Sequence, residues 1–277
     1  MEDWILLAGQ KGVAGQNDSM DWNDSMDRHS KEIIAEYWDK RSESYAKGSN
    51  SCEDEERGVW KTCLEPFTAN LVLHKALDVG TGPGFLSFIL RDMGLDVIGL
   101  DMSRGMLNQA KRAAGHQGLN LCQGDAESLP FQTASFDLVV SRHLLWTLPN
   151  PEKALTEWMR ILQPGGKILA FDGNHFDPAT SKKLARQVSA LFARFSQDRN
   201  PVPFRKFYRP IEEHLPLYAA SGPDQYLAIF EAAGLKVVTL DRLPGVNRFY
   251  KRQKNILFKM ADANMIFLVK GEKSDEI

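Results

Sequence analysis

A glycine-rich turn is the segment of this sequence best suited to bind a ligand. It lies within Leu77–Phe85, where an apolar run, three glycines at alternate positions and a second apolar run indicate a strand, a turn and a helix. Glycine permits positive φ and a close approach of a ligand, and the N–H groups that begin the following helix face the turn. A dinucleotide site places its third glycine one residue later, and a P-loop needs Gly-Lys-Ser/Thr. Neither pattern is present, so the spacing disfavours a nicotinamide oxidoreductase.

Carboxylates stand near the ends of three successive predicted strands. Asp78 lies in the first strand, Asp101 closes the second, and Asp125 follows the third. A carboxylate at the position of Asp101 can accept hydrogen bonds from two ribose hydroxyls, and Asp125 can accept one from the exocyclic amine of an adenine. Each feature alone fits an ordinary strand end or turn. Their order and intervals together indicate a ligand that contains ribose and adenine.

The elements that position these residues alternate between strands and helices. The predicted strands are 75–79, 96–100, 119–122, 136–141, 167–172, 235–243 and 265–270, and the predicted helices are 31–47, 54–73, 85–93, 104–114, 151–162 and 224–233. This alternation predicts a parallel sheet covered on both faces. The stretch Gln163–Gly166 is expected to stop the helix before the fifth strand. Residues 173–222 interrupt the alternation with a helical, basic segment.

The composition is that of an ordinary globular protein. Of 277 residues, 43% are hydrophobic, and the formal net charge is −2. A near-neutral charge argues against a general nucleic-acid coat. The three cysteines lack C-x-x-C spacing, which predicts neither a disulfide framework nor a metal site. We expect a cytoplasmic monomer or homodimer with no nucleic-acid partner, because the first residues lack a secretory pattern and no apolar run reaches membrane-span length.

With these motifs the chain resembles the class I S-adenosylmethionine-dependent methyltransferases, in particular the group of ubiquinone- and menaquinone-type small-molecule enzymes. The resemblance implies S-adenosyl-L-methionine as cofactor and a small-molecule methyl acceptor as partner. It also implies a Rossmann-like, doubly wound α/β sheet of seven strands, mostly parallel with the last strand antiparallel. The chain would divide into a flexible amino-terminal arm (1–30), a helical lid over the cofactor (31–73), the cofactor-binding core (74–172), a helical substrate-binding insert (173–222) and the carboxy-terminal part of the core sheet (223–277).

The same resemblance assigns the residues of a cofactor site. Tyr45 would cover the cofactor, and Asp101 would hold the ribose. The set implied around the methionine part, the adenine and the sulfonium is Asp78, Gly80, Thr81, Gly82, Gly84, Met102, Asp125, Ala126, Ser141, Arg142 and His143. The Asn-Pro-Pro-Tyr tetrapeptide of amino-methylating nucleic-acid enzymes is missing, and Ser141–Leu144 stands in its place. Its absence argues against N-methylation of a base or an amide.

A catalytic base is optional in this chemistry, because methyl transfer from a sulfonium depends mainly on alignment and on exclusion of water. An alcohol or a phenol of high pKa would need one. His143 and His175, at the ends of the fourth and fifth strands, are the candidates. The simpler interpretation of each is a packed strand-end histidine. Trp146 and Tyr37 are candidates for the pocket lining or for the core.

The insert over 173–222 lies where this fold usually carries substrate-binding additions. Its basic side chains can meet an anionic substrate or form a solvated helix face, and they are Arg186, Arg194, Arg199, Arg205, Lys206 and Arg209. Three other functions stay open at this point. One is RNA or protein methylation, which needs a broad basic face, and another is a non-catalytic module that binds S-adenosylmethionine. The third is methylation of a metalloid that the thiolates of Cys52, Cys63 and Cys122 would bind.

Overall fold

One seven-stranded sheet organises the computed structural model, which describes residues 22–49, 54–69, 71–173, 202, 204–220, 222–253 and 266–274. The strands are β1 Lys75–Val79, β2 Asp96–Asp101, β3 Asn120–Gln123, β4 Phe136–Arg142, β5 Leu162–Gly173, β6 Lys236–Asp241 and β7 Ile266–Glu272. Their order is β3-β2-β1-β4-β5-β7-β6. Strands β1 to β5 are parallel, and β7 runs antiparallel to β5 and β6. The predicted Rossmann-like class and its antiparallel last strand are confirmed.

Helices cover this sheet and extend beyond one end of it. The α-helices of the described residues are α1 Trp22–Ser49, α2 Asp54–Thr68, α3 Phe85–Asp92, α4 Arg104–Ala114, α5 Pro151–Ile161, α6 Phe204–Tyr208, α7 Asp224–Ala232 and α8 Pro244–Gln253. A short 3-10 turn at Leu145–Thr147 follows β4. Among the helices described, none is both long enough and apolar enough to cross a bilayer.

Strand order explains where a ligand can bind. β1 pairs with β2 on one side and with β4 on the other, so the chain leaves β1 in one direction for β2 and β3 and later returns to its other edge. The connections on either side of such a reversal diverge and leave a crevice at the carboxyl ends of the strands. The turns after β1, β2 and β4 therefore meet at this crevice.

The core consists of two apolar layers, one on each face of the sheet. Val139 packs with one layer, while its neighbours Leu138 and Val140 pack with the other. All three side chains are fully buried, as the alternation of side chains along a strand requires when both faces are covered. Burial on both faces holds the end of β4 rigidly beside the crevice.

Several boundaries differ from the sequence prediction. The first helix begins at Trp22, so residues 22–30, which we assigned to a flexible arm, are helical. The Asn, Asp and Ser residues there favour helices weakly, and the buried Ser30, Ile34 and Tyr37 show that tertiary packing overrides that preference. Residues 1–21 lie outside the described ranges.

Two further differences concern β5 and α8. The sequence placed Gln163–Gly166 between a helix and a strand, but β5 already begins at Leu162 and absorbs the glycines through a register shift opposite β4. The helix ends here as expected, at Ile161. The strand begins earlier than predicted because a paired partner strand can accommodate a bulge at residues that locally suggest a turn. Helix α8, whose first residue is Pro244, was not predicted. Its local signals are a proline at the first helical position and apolar residues three apart, Val246 and Phe249.

Candidate active site

The glycine turn after β1 adopts the conformation that its residue types suggest. Gly80, Gly82 and Gly84 have φ of 70°, 56° and 93°, in the left-handed region that favours glycine. The backbone N–H groups of Gly80 and Thr81 donate to the carbonyl of Leu100 at the end of β2, at 2.8 and 2.9 Å. The turn is thereby fixed to the neighbouring strand.

Asp78 holds the turn and the start of α3 together. Its Oδ2 accepts hydrogen bonds from Thr81 Oγ1 at 2.8 Å, from Ser87 Oγ at 2.7 Å and from Ser87 N–H at 3.0 Å. Burial raises the pKa of the Asp78 carboxyl, and these hydrogen bonds oppose the rise. The carboxylate thus organises the turn from beneath.

Asp101 occupies the end of β2 and faces the crevice. Its two oxygens accept hydrogen bonds from the N–H groups of Gly82 and Ser103, both at 2.8 Å. Burial raises the pKa of Asp101 to about 6, the two backbone hydrogen bonds lower it, and the charges of Asp78 and Asp39 add to the rise. Each carboxylate oxygen keeps a further lone pair, so Asp101 can still accept hydrogen bonds from a ligand.

Asp125 and Glu127 both form ion pairs with Lys31, a residue that the sequence analysis did not select. Lys31 Nζ of α1 is 2.8 Å from Asp125 Oδ2 and 2.5 Å from Glu127 Oε2. The other oxygen of Asp125 accepts the N–H of Glu127 at 2.9 Å. Lys31 therefore ties α1 to the loop after β3, the loop predicted to read the adenine.

A second contact holds α1 over the crevice. Asp39 Oδ1 accepts hydrogen bonds from Ser103 Oγ at 2.6 Å and from the N–H of Gly105 at 2.7 Å. Both donors lie at the start of α4, next to Asp101. Helix α1 is thus joined to the loops after β2 and β3.

A cavity of about 360 Å³ lies between α1 and the ends of the strands. The predicted site residues that line it are Tyr45, Gly80, Gly82, Asp101, Met102, Asp125, Ala126, Arg142 and His143. A smaller cavity of about 40 Å³ adjoins it and is lined by Asp78 and Thr81 together with Tyr45, Gly80, Gly82 and Arg142. The structure thus brings most of the predicted set together.

Two predicted residues line neither of these cavities. Ser141 is buried in β4. Gly84 begins α3, and a Cβ there would lie 2.8 Å from Phe88 Cε2. The need for glycine at position 84 therefore comes from its positive φ and from helix packing.

The space next to Gly82 shows whether a ligand can approach the turn. A Cβ built on it would have no protein atom within 4 Å, although Gly82 lines both cavities. The space next to its backbone is therefore left for a ligand. This fits an adenosine-type cofactor that approaches the turn closely, with Asp101 beside it as a hydrogen-bond acceptor.

Changing Gly82 to alanine is expected to weaken binding of S-adenosylhomocysteine by about 30-fold, because the new methyl group enters the cavity. The φ of 56° adds a strain of about 1 kcal/mol, which lowers stability only modestly. Gly94→Ala is the matched control, since Gly94 also has positive φ and open space but lies outside both cavities. Isothermal titration calorimetry measures the affinity. Equal affinities in the two variants would contradict the assignment.

His143 presents a strained backbone to the larger cavity. Its φ is 57°, which is uncommon for a residue other than glycine, and its N–H donates to the carbonyl of Phe171 at 2.8 Å. His143 Nδ1 lies 3.9 Å from Oδ1 of Asp172, a buried residue of β5 that sequence reasoning did not select. His175, the second predicted base, lies outside the described residues.

Apolar side chains form the remaining wall of the larger cavity. These include Ile34, Trp38, Leu144, Trp146 and Leu148. Tyr37 does not line the cavity but packs behind Trp38 in the core, with ring centroids 5.1 Å apart. The same cavity that His143 lines thus has an aromatic and aliphatic surface.

The described part of the insert supports this wall with aromatic rings and adds no cation to it. Phe204 and Tyr208 of α6 pack against Trp146, with ring centroids 6.0 and 5.5 Å apart. The basic residues of α6 and its end are exposed, and neither cavity includes Arg205, Lys206 or Arg209. Arg186, Arg194 and Arg199 lie outside the described residues.

The described cysteines offer no thiolate to the site. Cys63 and Cys122 line neither cavity. Burial raises the pKa of both thiols, to about 11 for Cys63, so both thiols stay protonated at neutral pH. Cys52 lies outside the described ranges. The geometry therefore gives the metalloid alternative no support.

Comparison with known proteins agrees with this site. The profile of a family described as methyltransferase domain matches residues 77–170. A demethylmenaquinone methyltransferase of Renibacterium salmoninarum is 33% identical over 144 residues, which are 50% of this chain and 60% of that protein. A second one, of Staphylococcus haemolyticus, is 29% identical over 78% of this chain and 90% of its own length. The chain thus spans 60% of the length of the first relative.

A solved structure extends the likeness of the fold to most of the chain. The geranyl diphosphate C-methyltransferase of Streptomyces coelicolor A3(2), crystallised with S-adenosyl-L-homocysteine, has a TM-score of 0.60 at 14% identity and covers 88% of this chain and 98% of its own. The matched profile, the strand order and the crevice lined by Asp101 and the glycine turn agree with one another. Residues 77–170 match a methyltransferase domain, and the fold around them is that of the solved methyltransferase.

Proposed function

We propose that this protein methylates an apolar small molecule that carries an acidic hydroxyl group, such as a phenol or a quinol. The observation that carries the proposal is the proximity of His143 to Asp172 in a cavity whose lining also includes Trp38, Leu144 and Trp146. A histidine beside a buried carboxylate is suited to accept a proton, because the carboxylate stabilises the imidazolium. The apolar wall favours an acceptor that leaves water readily.

One set of residues binds the cofactor, and another deprotonates the acceptor. When bound, S-adenosylmethionine supplies an electrophilic methyl group. Asp101 accepts hydrogen bonds from its ribose, and the glycine turn gives it space. Helix α1, held by Lys31 and Asp39, excludes water from the cavity.

His143 acts on the acceptor. Its Nε2 takes the hydroxyl proton, and Asp172 stabilises the positive charge that the ring then carries, with Nδ1 facing the carboxylate. The electron pair left on the acceptor is shared between the oxygen and the conjugated ring carbons, so either atom can become the nucleophile. The methyltransferases of the menaquinone type that resemble this chain support an aromatic hydroxyl compound as acceptor.

The proposal is tested by measuring S-adenosylhomocysteine release with naphthols and matched naphthylamines. We expect turnover of the naphthols, with kcat about 100-fold lower for His143→Asn. Asparagine is chosen because it tolerates the left-handed backbone at this position. His116→Asn is the control, since His116 is exposed and lies outside both cavities.

The pH profile separates a catalytic role from a structural one. The kcat of His143→Asn is expected to recover as the pH approaches the pKa of the naphthol, because solvent then removes the proton. Asp172→Asn is expected to shift the acidic limb of the profile downwards, because the imidazolium loses its carboxylate. Turnover of the amines alone, or full activity of His143→Asn, would overturn the proposal.

A further inference from the structure

Arg142, at the end of β4, is fixed by two aromatic rings in a position that suits the binding of an anion. The guanidinium carbon of Arg142 lies 4.1 Å from the ring centroid of Phe85 and 5.1 Å from that of Trp60. Stacking on ring faces leaves the N–H groups at the edge of the guanidinium to make hydrogen bonds. Phe85 begins α3 directly after the glycine turn, so this edge is close to the cofactor cavity.

A buried tyrosine and an acid from two other helices support the arginine. Arg142 Nη2 donates to Tyr250 Oη at 3.3 Å, and Trp60 Nε1 donates to the same oxygen at 3.1 Å. Tyr250 in turn donates its own proton to the carboxylate of Glu56. Glu56 thus offsets the charge of Arg142 through a tyrosine. Within the described ranges, Arg142 forms no direct ion pair.

The donors of Arg142 are not all used. Its Nε is buried and has no hydrogen-bond partner among the described residues. An unpaired buried donor is costly, and the cost disappears when an acceptor arrives. Arg142 lines both cavities, and the smaller one also contains Gly80, Gly82 and Asp78. The missing acceptor is therefore expected beside the glycine turn.

The chemistry of the cofactor supplies such an acceptor. Asp101 and Asp125 line the larger cavity, where the ribose and adenine are assigned, so the amino-acid part of the cofactor is left for the smaller one. We propose that Arg142 binds the carboxylate of the cofactor's amino-acid part through Nε and one Nη. Tyr250 and Glu56 position the guanidinium for this contact. A fork of two N–H groups matches a carboxylate. The inference concerns cofactor binding and does not depend on the acceptor proposed above.

Calorimetric titration with two ligands tests this assignment. S-adenosylhomocysteine carries the amino-acid part, whereas 5′-methylthioadenosine lacks it. For Arg142→Gln we expect the affinity for S-adenosylhomocysteine to fall by about 30-fold and that for methylthioadenosine to change by less than about twofold. Arg91→Gln is the control, because Arg91 also stacks on a phenylalanine of α3 but lies outside both cavities.

Tyr250→Phe tests the positioning role, with an expected loss of about fivefold for S-adenosylhomocysteine alone. It also carries the test if Arg142→Gln does not fold, since it removes only one hydroxyl. An equal loss for both ligands would show a structural role for these residues and overturn the proposal. Unchanged affinity for S-adenosylhomocysteine would overturn it as well.

Discussion

Replacing Asp101 with alanine is expected to weaken binding of S-adenosylhomocysteine by at least about 100-fold. Two hydrogen bonds from ribose hydroxyls to a charged acceptor contribute about 1.5 to 3 kcal/mol each, and each 1.4 kcal/mol corresponds to about a tenfold change in affinity. The variant also loses the acceptor for the N–H groups of Gly82 and Ser103, which loosens the turn. Isothermal titration calorimetry at pH 7.5 measures the change.

Asp96→Ala provides the matched control for this change. Asp96 begins the same strand, is exposed and lies outside both cavities. Its replacement is expected to leave the affinity within about twofold, since exposed polar contacts contribute little. If Asp101→Ala bound as tightly as Asp96→Ala, the ribose assignment would be wrong.

The raised pKa of Asp101 adds a pH dependence to cofactor binding. Ribose hydroxyls donate to the ionised carboxylate, so binding favours the ionised form and releases a proton wherever the free protein holds one. Because the pKa is about 6, the affinity should be constant above about pH 7 and fall by up to about tenfold per pH unit below 6. Asp101→Asn should bind weakly with no such slope. Titration in buffers of different ionisation enthalpy counts the released proton.

The sign is opposite for the stability of the empty protein. The pKa of Asp101 rises from 3.8 to about 6 on folding, so protonated Asp101 favours the folded state. That contribution is fully present below pH 3.8 and is lost as the pH rises through about 6. Asp101→Asn should therefore unfold with a weaker pH dependence over this window, as measured by urea titration.

Replacing Asp78 with alanine is expected to lower the free energy of unfolding by about 3 kcal/mol. The change leaves the buried N–H of Ser87 without an acceptor, and an unsatisfied buried donor costs about 1 to 3 kcal/mol. It also removes the acceptor for two hydroxyl groups, Thr81 Oγ1 and Ser87 Oγ, which are only partly satisfied by each other at 2.9 Å. Urea denaturation followed by fluorescence measures the loss.

Asp78→Asn is the matched variant, because it removes the charge of Asp78 but keeps an acceptor oxygen. All three hydrogen bonds end on one oxygen, Oδ2, and an amide carbonyl can accept them in its place. Burial already disfavours the charge of Asp78, so the amide should cost only about 1 kcal/mol. A stability of Asp78→Ala equal to that of the natural sequence would refute the role of this carboxylate.

Local signals in the sequence were enough to predict the strands of the sheet and the glycine turn. The helix at Arg104–Ala114 and the strand at Lys75–Val79 have the boundaries that the pattern predicted. Side-chain periodicity and the φ required of Gly80 and Gly82 depend on near neighbours along the chain. These features can therefore be predicted from the sequence without knowledge of the tertiary structure.

The fold alone decided which distant residues complete the site. Lys31 lies 94 positions from Asp125 in the sequence, and Tyr250 lies 108 from Arg142. Such pairs leave no local pattern, because helix packing and strand order bring them together. The same is true of Asp172, which lies beside His143 only because β4 and β5 are neighbours.

The sequence by itself determined the class of fold, the glycine turn and the carboxylates predicted to bind the cofactor. The tertiary structure decided which helix covers the cavity, which acid accompanies His143 and how Arg142 is held. The physical reason is the range of the forces involved. Backbone strain and periodic burial act within a few residues, whereas ion pairs and ring contacts act between any groups that the fold places side by side.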